Sequence, residues 1–145
     1  MKVRSLGHVV IKVRSQERAE AFYHGILGFP IAARMEDEQM TFFTLGNHHD
    51  FAIAELGEGA VEPPPHTPGL DHLGFKIGDT LDELREAKAR LEEHGVNAYA
   101  VDHEITQSLY CYDPDGNLIE LYVDTSDAWK TDPTAVVRPT APLKL

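Results

Sequence analysis

Two histidines, His8 and His72, and two glutamates, Glu55 and Glu120, recur at matched places in this chain. His8 opens the run GHVVIKV and His72 the run DHLGFKI, an offset of 64 residues (72 − 8). Glu55 follows Ile53-Ala54 and Glu120 follows Leu118-Ile119, an offset of 65 residues (120 − 55). Two imidazoles with one or two carboxylates turned to one cavity make a divalent-metal site. The two-histidine, one-carboxylate set with open positions suits non-heme Fe(II), with zinc, nickel and manganese as alternatives. A further pair, His48-His49, stands at the head of the apolar run FAIAEL. If residues 49–55 form one regular strand, His49, Phe51, Ile53 and Glu55 share a face.

Two features repeating at nearly one offset point to two copies of one unit, and the elements around them agree. Each copy begins with a β-rich stretch, 8–13 and 71–77. A helix follows in each. In the first copy Ser15 caps it, Ala19, Phe22, Tyr23 and Ile26 mark its apolar face, and Gly28 ends it. In the second, Thr80 with Glu83 forms a capping box, Leu84, Ala87 and Leu91 mark the face, and Gly95 ends it. Three strands complete each copy: 31–36, 40–45 and 49–55, then 98–102, 107–112 and 117–123. Asp113-Pro114-Asp115-Gly116-Asn117 is the turn between the last two. The order is βαβββ, twice. The predicted fold class is α+β, with two paired βαβββ modules forming an open mixed β-sheet barrel around a metal site. Residues 1–145 form a single domain in this reading. Module one covers about 5–60, a stiff proline-rich linker 62–69, module two about 70–124 and an irregular C-terminal arm 125–145. Paired pseudo-symmetrically, the two modules would bring His8 near His72 and Glu55 near Glu120.

Composition narrows the function classes. With 24 acidic and 13 basic residues the formal charge is −11, which argues against nucleic acid as a partner. No apolar segment approaches the ~20 residues that span a bilayer, so no membrane partner is expected. The N-terminus has no apolar run long enough for a signal peptide. Cys111 is the only cysteine, which excludes an internal disulfide and fits a cytoplasmic location. The chain is rich in histidine, with eight. A lone strand histidine is more often a hydrogen-bonded structural residue than a ligand, and it is the repeat that raises the odds for His8 and His72.

These residues resemble the vicinal oxygen chelate superfamily of paired βαβββ modules, over residues 5 to about 124. That superfamily includes glyoxalase I, extradiol ring-cleaving dioxygenases, fosfomycin-resistance transferases and bleomycin-binding proteins. Three stretches are similar to the type I extradiol dioxygenases in particular. NHHDFAI resembles the strand whose second histidine is an acid/base, here His49. DHEITQSLY resembles the stretch with a histidine and then a tyrosine beside the substrate, here His103 and Tyr110. DPDGNLIELY resembles the segment with the carboxylate ligand, here Glu120, and His8 and His72 match the two histidine ligands. The resemblance implies Fe(II)-dependent ring cleavage of a small aromatic diol by dioxygen in a homodimer or higher homo-oligomer. His8, His72 and Glu120 would hold the metal; His49, His103 and Tyr110 would be catalytic.

Other readings stand beside this one. A glyoxalase-like lyase or isomerase would use His8, Glu55, His72 and Glu120 on nickel or zinc. A drug-sequestering binding protein would need no metal set. His48 faces away from His49 if both lie on a strand, so it is read as a surface residue. His103 also reads as a loop residue and Tyr110 as core. His24 and His94 read as structural or solvated, and Cys111 as a buried apolar residue on the face opposite Tyr110. Phe42, Phe43, Phe51, Phe75 and Tyr99 supply either an aromatic pocket or core packing.

Overall fold

The computed structural model describes every residue, Met1–Leu145. The chain falls into two compact units, Met1–Thr67 and Pro68–Leu145. Each follows the expected element order, and each carries its own open sheet; neither sheet closes as a barrel.

In the first unit, β1 (Val9–Val13) leads through Ser15 into α1 (Gln16–Glu20). Ser15 caps the helix by accepting from the Arg18 amide at 3.3 Å. The helix does not continue regularly to Gly28. From Ala21 to Ile26 it widens into a π-helix, with Leu27 N–H donating to the Phe22 carbonyl five residues back; beyond its end Phe29 N–H donates to the Tyr23 carbonyl. The adjacent Phe22 and Tyr23 are both buried there. Gly28 then adopts φ +79°, a conformation open to glycine at little cost, and the chain turns away. Three strands follow: β2 (Ile31–Met35), β3 (Met40–Phe43) and β4 (Phe51–Glu55). The sheet order is β1-β4-β3-β2, parallel only between β1 and β4. Its core is aromatic. Tyr23 packs against Phe51 at 4.6 Å between ring centroids, and Phe43 stacks on Phe51 at 5.8 Å.

Here β4 begins at Phe51, not at residue 49, so His49 is a loop residue and does not share a strand face with Phe51. The cause is Asp50. Its carboxylate accepts from the amides of Leu45 (2.6 Å) and Asn47 (3.2 Å), closing residues 45–50 into a turn before the strand can start.

The second unit is built from β5 (His72–Gly78), α2 (Leu81–Glu93), β6 (Ala98–Asp102), β7 (Thr106–Tyr112) and β8 (Leu118–Asp124). The expected capping box is present: Thr80 accepts from the Glu83 amide while the Glu83 carboxylate accepts from the Thr80 amide at 2.9 Å. Asp113 closes the turn between β7 and β8, accepting from the amides of Asp115 (2.9 Å) and Asn117 (2.8 Å). Along β8 the side chains alternate between buried and half-buried. Ile119, Leu121 and Val123 join Leu109, Cys111 and the α2 residues Leu84 and Leu91 in the core. Each fully buried leucine contributes about 1.5–3 kcal/mol by leaving water.

The arm after residue 125 is not irregular throughout. It carries 3-10 segments at Ala128–Lys130 and Pro133–Val137. It ends in a two-residue strand, β9 (Ala141–Pro142), that pairs with Val101 and Asp102 on the edge of β6. The second sheet therefore has five strands in the order β5-β8-β7-β6-β9. No helix is long and apolar enough to cross a membrane.

Candidate functional site

The strand register of the second unit decides which side chains meet. Glu120 pairs with Tyr110 on one side and Gly74 on the other, Tyr122 with Ser108, and Tyr99 with Tyr110. By alternation His72, Gly74, Glu120, Tyr110, Ser108 and Tyr99 stand on one face, opposite the face that packs on α2. Cys111 lies on the packed face, as expected; burial pushes its thiol up to about 11.

Glu120 is the centre of this face. Its Oε1 accepts from the Ser108 hydroxyl at 2.6 Å and from the Tyr110 hydroxyl at 3.0 Å. Its Oε2 lies 3.3 Å from His72 Nε2. Behind His72, Asp71 Oδ2 accepts from Nδ1 at 2.6 Å. That carboxylate, with Glu120 in a lesser part, holds the His72 imidazole above its ordinary value, against the effect of its partial burial. His103 Nε2 sits 3.0 Å from the Tyr110 oxygen. Because the Tyr110 proton is directed at Glu120, His103 is the donor in that contact. Burial first, then the neighbouring Glu120 carboxylate, raises the Tyr110 phenol well above the tyrosine range, so it stays an O–H donor at neutral pH. Gly74 leaves room for the cluster, since a Cβ there would stand 3.2 Å from Glu120 Oε2.

His72 and Glu120 are of the residue types that could hold a divalent metal ion, and their spacing is compatible with one. Two ligands each ~2.0–2.2 Å from one ion, in tetrahedral to octahedral arrangement, lie about 2.8–3.6 Å apart. The His72–Glu120 separation of 3.3 Å is of that size. Asp71 on the far nitrogen of His72, and Ser108 with Tyr110 on Glu120, form the outer contacts that orient such ligands.

The first unit gathers three imidazoles. His8 lies just before β1; His48 and His49 lie in the turn before β4. One ring nitrogen from each lies within 4.8 Å of the other two. The His8 and His49 rings are 4.2 Å apart, and Phe42 meets His49 edge-on at 5.3 Å. Partial burial, then the neighbouring His8 and His48, hold His49 below the ordinary histidine value.

Glu55 is not the counterpart of Glu120. His8 matches His72 in the repeat; one residue on, Val9 pairs with Phe51 and Leu73 with Ile119. The residue matching Glu120 is therefore Ala52, while Glu55, opposite Val13, lies three positions further along β4. Its carboxylate accepts from the Gln16 amide at 2.6 Å, at the start of α1. The likeness of the sequences around Glu55 and Glu120 comes from their shared apolar-Glu-Leu pattern and not from equivalent register.

Of the expected residues, the structure thus brings together His72, Glu120, Tyr110 and His103 in one unit, and His8, His49 and also His48 in the other. His24 and His94 donate through Nδ1 to the carbonyls of Phe29 (2.8 Å) and Arg90 (2.9 Å), as structural histidines do. Phe43 and Phe51 are core, whereas Tyr99 is exposed and stacks on Tyr110 at 5.3 Å between centroids. Sequence reasoning passed over Asp71, Gly74 and Ser108. Ser108 had one available signal, its place two residues before Tyr110 on the same strand face.

The chain is 34% identical over 128 residues to the catechol-2,3-dioxygenase of Bacillus subtilis, covering 88% of this chain. It spans less than half, 44%, of that enzyme's length. It is 26% identical to the glutathione transferase FosA of Serratia marcescens, over 83% of this chain and 82% of that one. The glyoxalase/bleomycin resistance protein/dioxygenase domain from Frankia sp. EAN1pec has the same fold, with a TM-score of 0.71 at 20% identity, over 85% of this chain and 99% of that one. Residues 5–121 match the family model, and the chain belongs to the Glyoxalase/Bleomycin resistance protein/Dioxygenase superfamily.

Proposed function

We propose that the protein is a dioxygenase that cleaves a catechol-type aromatic diol beside its hydroxyls, with Fe(II) held by His8, His72 and Glu120. The observation that carries this reading is the chain His103–Tyr110–Glu120–His72, in which a metal-ligand pair is bonded directly to a donor pair. The similarity to a catechol-2,3-dioxygenase supports it. Bound there, Fe(II) would supply Lewis acidity toward the diol oxygens and electrons for dioxygen.

The protein's own groups do the rest. Asp71 holds the His72 ring in place, and Ser108 holds Glu120. The Tyr110 hydroxyl, held by His103, would turn its one proton from Glu120 to a substrate oxygen and so orient it. The ring of Tyr99, stacked on Tyr110, offers an apolar face for the aromatic ring. His49 would accept a proton from a substrate hydroxyl and return it to the product. Both oxygen atoms enter the product, a muconic semialdehyde. The reading includes a cytoplasmic homodimer.

The test is oxygen uptake by Fe(II)-loaded protein with catechol, 3-methylcatechol and 2,3-dihydroxybiphenyl. Uptake with a yellow ring-opened product, lost in Glu120→Ala, is expected. Iron-binding protein that consumes no oxygen with any of the three would overturn it. A second reading, metal-dependent group transfer to a small substrate, is favoured by the near-full-length match to the transferase; thiol consumption without oxygen uptake identifies it. A lyase using Glu55 as fourth ligand is disfavoured, because Ala52 occupies the matching position.

A further inference from the structure

We infer that the first unit binds a divalent metal ion by itself, through His8, His48 and His49, in a three-imidazole site selective for zinc over iron. The inference goes beyond the proposed function, which takes from this unit one ligand and one acid/base and gives His48 no part. It uses His8 and His49, which that reading also takes, so zinc held here would exclude their roles at iron; the inference does not rest on that reading.

Three observations converge. One ring nitrogen from each of the three histidines lies within 4.8 Å of the other two. Small rotations of partly exposed side chains close that spacing to the about 3.3 Å that ligands of one tetrahedral ion show. Second, the turn carrying His48 and His49 is fixed to the strand entry carrying His8. Asn47 Nδ2 donates to the Gly7 carbonyl at 3.3 Å, Thr44 Oγ1 donates to the Asn47 carbonyl at 2.6 Å, and Asp50 accepts from the amides of Leu45 and Asn47.

Third, the tautomer of His48 is set for metal. Asn47 Oδ1 accepts from the His48 amide at 2.9 Å and faces His48 Nδ1 at 3.1 Å. The Asn47 amide nitrogen is committed to Gly7, so its oxygen faces His48 and the Nδ1 carries the proton. The Nε2 lone pair of His48 is then free to coordinate. A ligating histidine whose other nitrogen donates to an oxygen is the usual outer arrangement of a metal site. Three imidazoles without a carboxylate suit zinc, and at equal geometry such nitrogen sites hold zinc more tightly than Fe(II). The set is open, with three protein ligands and room for water as the fourth.

The experiment uses the full chain with His72→Ala and Glu120→Ala together, which removes the ligands of the second unit. Zn(II) is titrated in by calorimetry, and Co(II) reports coordination through its visible bands. One Zn(II) per chain is expected in this variant. Adding His48→Ala should weaken binding by at least the ~10–100-fold that loss of an outer-shell partner costs, and Asn47→Ala by about that amount. The conservative His48→Gln, with an unchanged circular dichroism spectrum, separates ligand loss from misfolding. The inference is overturned if the double variant binds no Zn(II), or if His48→Ala and His48→Gln leave its affinity unchanged. Oxygen uptake by the Fe(II)-loaded native chain tests the dioxygenase reading alone, so either can fail without the other.

Discussion

The two units share an element order yet place different chemistry on matching strands. In the second, the face away from α2 is polar: Ser108, Tyr110 and Glu120 bond one another beside His72. In the first, the matching positions of β1 and β4 are Val10 and Ala52, and three histidines gather at the strand entry instead. Their cores differ too. The first packs aromatic rings around Tyr23, and the second packs aliphatic side chains under a regular thirteen-residue helix. A repeated backbone has thus kept its local rules while each copy specialised, and the register, more than the sequence likeness, says which residues correspond.

The largest effect is expected where the comparison is sharpest. Glu120→Gln should remove iron retention and diol-dependent oxygen uptake to background, because an amide gives up the anionic oxygen that a metal requires. Glu55→Gln should leave both unchanged, since an amide oxygen can still accept from the Gln16 amide. Iron content and oxygen uptake of the two variants decide it. Loss in both would restore Glu55 as a ligand and undo the register argument.

Next come the cores. Tyr23, fully buried among Phe22, Phe29, Phe43 and Phe51, should cost about 3–5 kcal/mol when replaced by alanine. Leu91→Ala in the second unit should cost about 2–5 kcal/mol. Urea unfolding checks both, and its shape sharpens the comparison. If the units unfold separately, each substitution shifts only one transition; a single shared transition would move in both variants.

A smaller effect is expected at Gly74. Its added Cβ in Gly74→Ala would press on Glu120 Oε2 at 3.2 Å and touch the Tyr122 ring at 3.8 Å. The Glu120 side chain can yield, so folding should survive. The carboxylate should leave its place beside His72, and metal affinity should fall about tenfold, as for other disturbances of ligand orientation. Calorimetric titration with Fe(II) or Mn(II) measures it; an unchanged affinity would mean that the Glu120 position is not needed for binding.

The sequence carried those parts of the fold that rest on local rules. The Thr80–Glu83 capping box, the Asp113–Asn117 turn and the strand at 98–102 all form where their residues require. Both βαβββ orders followed from helix caps and period-two runs. What was not legible depends on distant pairing. Apolar-Glu-Leu reads alike at Glu55 and Glu120, and only the pairing of β1 with β4 separates them. His49 reads as strand until Asp50 is seen to close a turn around it. Ser108 and Asp71 are short polar residues that acquire meaning from a neighbour across the sheet or beside them. The edge strand β9 is two residues long and has no pattern to read.

Caps are worth less than cores. Thr80→Ala breaks a reciprocal box and should cost about 1 kcal/mol, within the usual 0.5–2. Ser15→Ala removes a single 3.3 Å bond from a five-residue helix and should cost less. Thermal unfolding of the two variants ranks them. A larger loss at Ser15 would mean that the irregular helix of the first unit depends on its cap more than the regular helix of the second does.

The smallest effect concerns pH and distinguishes the first unit again. Glu20 accepts two bonds from Arg34, each 2.8 Å, and one from the Thr41 hydroxyl. Arg34, aided by Thr41 and opposed by partial burial, holds the carboxyl below its ordinary 4.5. A carboxyl lowered in the folded state binds fewer protons folded than unfolded. Its contribution to stability is therefore complete above about pH 4.5 and is lost as pH falls through the lower folded value. Arg34 is half exposed, so solvent screens the pair and the contribution is small. Glu20→Gln should lower stability slightly at neutral pH and flatten its decline below pH 4.5. Urea midpoints of both proteins from pH 6 to pH 3 test this. Parallel curves would mean that Glu20 has no part in acid unfolding, and that the acid sensitivity of the first unit lies elsewhere.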